Sequence, residues 1–220
     1  MVKVERSFPA PESLAVEALK ENGSYSEKDV VERLRNDFHD KCYICEVKGL
    51  QDPEVEHLLP HKRGKYPERK FDWNNLFWCC GHCNRVKNKE KYDEGIIDCC
   101  NQEPEELLCC SFKDNDVQVY AKDPGNTKAV LTAELIYETF NLKNTGIRIA
   151  ACDNRIHSLM ESMDVLYHEL DRYRRSPKSK LNIRRISALL RRDSAFAAFK
   201  RGYVRERLSE YPELKEFVAV

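Results

Sequence analysis

The sequence predicts an α+β protein in which a small metal-supported module is embedded in a mostly α-helical chain. Three observations carry this expectation. Residues 42–92 are dense in Cys, His, Asn, Pro and Trp and lack any long periodic pattern, which is how a module held by metal rather than by a large apolar core reads. The flanking stretches, residues 11–40 and everything past Gly125, carry apolar residues at helical spacing. Between them, LLCCSFKDNDVQVYA alternates Val117, Val119 and Ala121 after a KDND turn, the pattern of a hairpin.

In chain order, residues 11–40 read as two short helices. Val30, Val31, Leu34 and Phe38 give the second an apolar face, and Ser26 with Asp29 resembles a capping box. The spacing predicts further helices over TAELIYETFNL, residues 146–175, LNIRRISALLRR and SAFAAFKRGYVRERL, with Pro177 as a breaker and Ser194 as a cap for the last. Asp72 and Asn84 are candidate caps for WNNLFW and NRVKNKEKY. Three segments follow: a helical N-terminus (1–40), the Cys/His-rich module with its hairpin (41–122), and a helical C-terminal region (123–220).

Composition excludes little about partners. The chain has 37 basic and 37 acidic side chains, so its net charge is zero. The distribution is uneven: residues 62–91 hold nine Lys or Arg against three acids, and residues 172–207 hold thirteen against two. A continuous exposed stripe of such charge fits a phosphate backbone, whereas scattered charge fits solvated helix faces or a protein partner. There is no apolar run near eighteen residues and no signal-peptide core at the N-terminus, so no membrane partner and a cytoplasmic location are expected.

A 220-residue chain does not need disulfide staples to fold, and cytosolic thiols stay reduced, so closely spaced cysteines point to metal. Cys42-Tyr-Ile-Cys45 and Cys80-Gly-His-Cys83 are two C-x-x-C knuckles with 34 residues between them. Each knuckle brings two sulfurs to one ion, and two knuckles complete the four-thiolate set of a closed structural zinc site. Cys79 is an alternative to Cys80 at looser spacing. The doublets Cys99–Cys100 and Cys109–Cys110 read as small apolar fillers at the hairpin ends, with a second ion as the other reading. His82, inside the second knuckle, is expected to be exposed and idle.

Between the knuckles lie EVEHLLPHKR and DWNNLFW, and Asn84 follows Cys83 directly. The order C-x-x-C, Glu-His, Asn-Leu, C-x-x-C-Asn resembles the HNH, or ββα-metal, endonucleases, in the subgroup whose motif is tied by a four-cysteine zinc. The resemblance implies a zinc-stabilised ββα-metal fold and a metal-dependent hydrolase of phosphodiester bonds in DNA or RNA. It maps the first motif onto Glu56-His57, the middle Asn onto Asn75 and the last position onto Asn84, an H-N-N variant. Glu56 stands where the family more often has Asp. Phosphodiester hydrolysis needs an activated water and a counter-charge for the leaving oxygen. A histidine has the ordinary pKa for the first task. A Mg²⁺ or Mn²⁺ ion on oxygen ligands, here Glu56 and Asn84, would serve the second. Asn75 would hold the loop carrying His57. His61, Lys62, Arg63, Lys65 and Lys87 are expected to contact phosphate.

Much of the chain, through VKVERSFPAPESL, FHDKCYIC, VEHLLP, KYPERKFDWNNL, EPEELL, FNLKNTGIRIA and SAFAAFKRGYVRERL, is similar to the HNH subunits of Septu-type and retron-associated antiviral defence systems. That similarity implies a bacterial cytoplasmic effector held in check by an ABC/SMC-like ATPase partner. Two other classes compete with the nuclease: a non-catalytic zinc-supported nucleic-acid-binding module, and an adaptor whose zinc module only scaffolds partner contacts.

Overall fold

Among the described residues the fold comprises two antiparallel strand pairs and eight α-helices, with short 3₁₀ turns between them. The computed structural model describes residues 1–142, 144–177 and 179–220, and for Arg63 the backbone alone. The first hairpin pairs β1 (Pro53–His57) with β2 (Leu76–Cys80), setting Glu56 opposite Phe77 and His57 opposite Leu76. Every residue of β2 is buried, because neighbouring structure covers both of its faces. β2 runs without a break into α3 (Gly81–Lys87). The turn is close: a Cβ on Gly81 would lie 2.7 Å from Glu54 Oε1, so a larger residue there would push the Glu54 side chain aside.

Before this unit come α1 (Glu12–Glu17) and α2 (Lys28–Asp37), the latter burying Val30 and Leu34 as its spacing required. The capping expectation fails here. Glu27 occupies the N-cap without a side-chain bond, and Asp29 instead accepts from the backbone and hydroxyl of Ser13. After α3 comes a one-turn α4 (Pro104–Leu107), then β3 (Leu108–Lys113) paired with β4 (Asp116–Ala121) across the Asp114–Asn115 turn. Both turn residues have positive φ (52° and 60°), which Asp and Asn tolerate.

The C-terminal region is helical: α5 (Thr127–Asn141), α6 (Gly146–Arg175), α7 (Lys180–Leu190) and α8 (Ala197–Arg205). Asn126, Thr145 and Ser179 cap the first three. The long α6 buries Cys152, Leu159, Met163, Leu166, Leu170 and Tyr173, a single stripe at three- and four-residue steps. Ser194 does not cap α8. That position falls to Phe196, in the left-handed region at φ 51°, and Ser194 Oγ accepts from Lys200 Nζ instead. α8 packs so tightly on the second hairpin that a Cβ on Gly202 would lie 2.6 Å from the Cys110 carbonyl oxygen.

One buried apolar cluster runs through all three sequence segments, from Val4 through Phe77 to Leu214. Polar ties cross the same boundaries: Glu46 accepts from the Ala198 amide, and Lys41 donates to the Arg192 carbonyl. No helix among the described residues is long and apolar enough to cross a membrane.

Candidate metal centre and catalytic cleft

The two C-x-x-C knuckles meet. The Sγ atoms of Cys42, Cys45, Cys80 and Cys83 lie within 4.8 Å of one another, and all four residues are buried. A tetrahedral zinc with Zn–S near 2.3 Å requires sulfurs about 3.8 Å apart, and the Cys45–Cys80 pair is at 4.0 Å. Backbone geometry explains the meeting. In the first knuckle Glu46, at φ 62°, turns the chain so that its amide donates to the Cys42 carbonyl, while the Cys42 amide donates to Val47. The Tyr43 amide then donates to the Trp78 carbonyl, tying this knuckle to β2. The second knuckle is the β2–α3 junction itself, where Cys80 caps the helix and its Sγ accepts from the Cys83 amide.

The thiols fit a dication. Hydrogen bonds from Cys42, Cys45 and Cys83 hold Cys80 far below the ordinary thiol range, while burial pushes the other three well above it. Four thiolates in this space therefore require a compensating cation. Cys79 Sγ touches Cys42 at 3.8 Å but stands outside the set of four. Among the described residues no second metal-ligating group forms. Cys99 and Cys110 are buried fillers, with Cys100 and Cys109 half-exposed beside them.

The Glu-His pair divides across the strand. His57 is buried, with Nε2 3.1 Å from the Lys70 carbonyl oxygen and its ring edge-on to Tyr25 and His61 at 4.5 and 4.8 Å. A carbonyl only accepts, so Nε2 carries the proton and Nδ1 the lone pair. Nδ1 has no hydrogen-bond partner among the described residues. Burial, aided by the nearby His61 and lysines, lowers the His57 pKa to about 4 against the one raising contact, the Lys70 carbonyl. The imidazole is neutral at pH 7.

Asn75 clamps the loop that follows His57. Its Oδ1 accepts from the Leu59 amide at 2.8 Å, and Nδ2 donates to the Leu59 and Arg69 carbonyls at 2.9 and 3.0 Å. Three bonds from one buried amide fix both ends of the loop between β1 and β2 relative to each other. Asp72 caps the 3₁₀ turn Trp73–Asn75 that delivers it.

Glu56 points the other way, toward α3. One carboxylate oxygen is 2.6 Å from Lys87 Nζ and the other is 2.6 Å from the Tyr43 hydroxyl. Lys87 Nζ also donates to the His57 carbonyl at 2.9 Å. Burial pushes the Glu56 carboxyl up from its ordinary value despite this ammonium. Asn84 is the fourth residue of α3, not its cap, and its amide nitrogen donates to Glu54. Glu56 and Asn84 thus line one cleft without sharing a point. An ion bound to Glu56 would first have to displace Lys87, so this arrangement does not present the expected Glu56–Asn84 ion site.

The cleft has a volume of about 510 Å³ and is walled by His57, His61, Asn84, Lys87, Lys89 and Asp93 among others. Lys62 is at its rim, paired with Asp93 at 2.6 Å. Lys65 is exposed with its ammonium over the Tyr66 ring, and the Arg63 side chain lies outside the described residues. Lys87, read from sequence as a phosphate contact, is buried in the cleft wall. His82 is a correction: it is 6 % exposed, with Nε2 3.0 Å from the Thr139 carbonyl oxygen, and so joins the second knuckle to α5.

The basic C-terminal run is split: Arg172, Arg174, Arg175, Lys180, Arg184, Arg185 and Arg191 are exposed, while its end is drawn inward onto acids. Arg201 is buried with both Nε contacts on Glu105, Arg205 joins it at 2.6 Å, and Arg192 pairs with Glu103 at 2.8 Å. Sequence reasoning missed Tyr43 and Lys70 as parts of the site. Nothing in the motif marks a knuckle tyrosine as a carboxylate partner, and Lys70 acts through its backbone, which no side-chain pattern reveals. Comparisons with protein-family models, with curated proteins and with solved structures returned no match.

Proposed function

We propose that the chain is a zinc-supported endonuclease of the HNH type that hydrolyses phosphodiester bonds. The observation that carries the reading is the state of His57: its Nε2–H is spent on the Lys70 carbonyl, and the unprotonated Nδ1 has no protein partner. A neutral imidazole, held by a loop that Asn75 locks at three points, is a general base ready at neutral pH. In this reading Nδ1 takes the proton from a water that attacks the phosphorus. Tyr25 and His61, packed around the ring, keep it from turning. His61 and Lys65 would meet the phosphates on either side. In this reading the zinc clip holds β2 and α3 at a fixed angle over the buried cluster that includes Phe77 and Trp78, so the cleft keeps its shape.

The divalent-ion requirement stays part of the proposal, with Mg²⁺ or Mn²⁺ as the ion, but no step is built on it, because Lys87 stands on Glu56. That same contact favours a second reading, a non-catalytic zinc-supported nucleic-acid-binding or adaptor module, in which Glu56–Lys87 is only a structural pair. The resemblance to defence nucleases extends the first reading to a bacterial antiviral effector with an ATPase partner.

One assay separates the readings. Wild type and His57→Ala are incubated with Mg²⁺ or Mn²⁺ on plasmid, single-stranded DNA and transfer RNA, with and without any ATPase encoded beside the gene. Cleavage that disappears in His57→Ala at unchanged zinc content supports the nuclease and names its substrate. Equal binding by both proteins with no cleavage in any condition supports the module.

A further inference from the structure

The long helix α6 carries an arginine with an unusual set of contacts. Arg155 Nη2 lies 3.2 Å from Cys80 Sγ, and Nη1 donates to the Ala151 carbonyl one turn back at 2.8 Å. Its Nε is buried and has no hydrogen-bond partner. Among the described residues no carboxylate lies within ion-pair distance of this guanidinium, although nearly every other arginine of the C-terminal region has one. A partly buried guanidinium facing four neutral thiols would be an uncompensated charge, which proteins avoid. Facing a four-thiolate zinc centre, whose formal charge is 2−, it is a counter-ion with a charge-assisted hydrogen bond to sulfur.

We infer that Arg155 belongs to the metal centre as its outer-sphere partner, making retention of the ion and docking of α6 mutually dependent. Groups that hydrogen-bond to ligand atoms orient them and tune the affinity of the site. Here the donor comes from a helix more than seventy positions away in sequence, so the bond does more than orient. It seats the first third of α6 against the back of the β2–α3 junction. Cys152, one turn before Arg155, is buried in the same seat, with its Sγ 3.5 Å from the Leu142 carbonyl oxygen. His82, between the two cysteines of the second knuckle, does the corresponding job for α5 through the Thr139 carbonyl. The second knuckle therefore contacts both helices, one through a neutral hydrogen bond and one through a charge that matters only when the thiolates exist. Linkage makes the coupling reciprocal: whatever factor Arg155 adds to zinc affinity, zinc returns to the docking of α6. This inference rests on the four-cysteine cluster and stands or falls independently of nuclease activity.

The test measures zinc retention in the full-length chain by titrating the zinc-loaded protein with a chromogenic zinc chelator. Arg155→Met keeps the aliphatic stem and removes charge and donors. It should release zinc at about 10- to 100-fold lower chelator concentration than wild type, the range found for lost outer-sphere partners. Hydrogen exchange of the zinc-loaded variant should be faster over residues 146–158 and unchanged in the β3–β4 hairpin. Arg155→Gln, which retains an N–H donor, should shift in the same direction by less, and it carries the test if the Met variant does not fold. Leu159→Ala, which loosens α6 without touching a thiolate, should by the same linkage shift the chelator curve in the same direction but by less than Arg155→Met. A variant curve at Arg155 that superimposes on wild type overturns the inference, and so does an equal shift in Leu159→Ala.

Discussion

The two halves of the molecule each bury a carboxylate beside a cation, and they do it differently. Against the C-terminal helices, Glu105 receives Arg201 Nε at 2.8 and 2.9 Å and Arg205 at 2.6 Å, while Arg201 also donates to the Leu190, Phe217 and Ala219 carbonyls. Almost every donor of that guanidinium is spent, and four separate chain segments are fastened by it. In the metal-bearing half, Glu56 has one ammonium and one tyrosine hydroxyl, and the pair lines an open cleft. The first arrangement is a closed lock. The second is a pair beside an open cleft, its ammonium held, among the described residues, by Glu56 and the His57 carbonyl alone. The lesson is that burial of charge alone does not mark a functional group; the number of unspent contacts and the access to a cleft do.

The sharpest way to break the comparison is to remove the metal. The two knuckles share a buried apolar cluster, to which a structural zinc would add ~10 kcal/mol or more of coupled folding energy. Chelation, or Cys83→Ser, should therefore abolish hydrogen-exchange protection across residues 41–92, while the lock around Glu105 keeps α8 protected longer. Simultaneous loss of protection in both halves would show that they are one cooperative unit.

Glu105→Gln should come next. It leaves Arg201 buried among carbonyls without its anion, and breaking such a pair costs ~3–5 kcal/mol. Zinc content should not change. Chemical denaturation with parallel metal analysis reads both quantities, and loss of zinc with the fold would make Glu105 part of the module's support.

His57 gives a smaller effect, with a sign that can be stated. Its pKa is lowered to about 4 in the folded chain from an ordinary 6.5. The unfolded chain therefore takes up this proton first as pH falls, so stability is lost on going from pH 6.5 down toward 4 and levels off below that. The full difference is ~3 kcal/mol. Relative to His57→Gln, wild type should lose about that much over this window and nothing above it. The same shift keeps the base unprotonated through weak acid, so if the chain cleaves nucleic acid, the acid limb of kcat/KM should fall near pH 4. A limb near 6.5 would mean that the ring is solvated in the working protein.

Which parts of this were legible in the sequence follows from the range of the interactions. The zinc set was readable because C-x-x-C is a local constraint: the sulfurs are delivered by one turn of backbone each. The long helix was readable because its buried stripe, from Leu159 to Tyr173, repeats within the helix itself. Asn75 was expected to hold the loop carrying His57; its three bonds run to Leu59 and Arg69 in the segment after β1, while His57 itself lies in β1 with its ring on the Lys70 carbonyl. The failures are contacts that no local pattern displays. Ser26 and Ser194 looked like caps, but Ser26 meets Ser24, Asp29 accepts from Ser13, and Ser194 accepts from Lys200. His82 looked idle because nothing within the knuckle needs it; its partner is Thr139, on a helix that packs against the knuckle only after folding. The basic run at residues 172–207 read equally as a stripe or as scattered charge, because the acids that answer its end, Glu103 and Glu105, lie far upstream.

The smallest expected effect bears most directly on the cleft. Lys87→Met keeps the length of the stem and removes the ammonium, leaving Glu56 buried with only the Tyr43 hydroxyl as donor. Because Glu56 already has a raised pKa from burial, it can answer by taking a proton, and the nearby cleft supplies water. The cost should therefore be ~1–2 kcal/mol, below that of an enclosed pair. The double variant Glu56→Gln/Lys87→Met should recover most of that loss, because neither charge remains to be solvated. The corresponding double change at Glu105 and Arg201 should recover little, since the carbonyls that Arg201 satisfies would stay orphaned. A Mn²⁺ titration of the single variant then asks the functional question. If Lys87 merely competes with an ion for Glu56, its removal tightens Mn²⁺ binding, and Glu56→Gln abolishes the gain. If Mn²⁺ binding is the same in wild type, Lys87→Met and the double variant, Glu56 is a structural carboxylate, and the oxygen ligands of any catalytic ion must be sought at Glu54 on β1 and Asn84, one turn of α3 before Lys87.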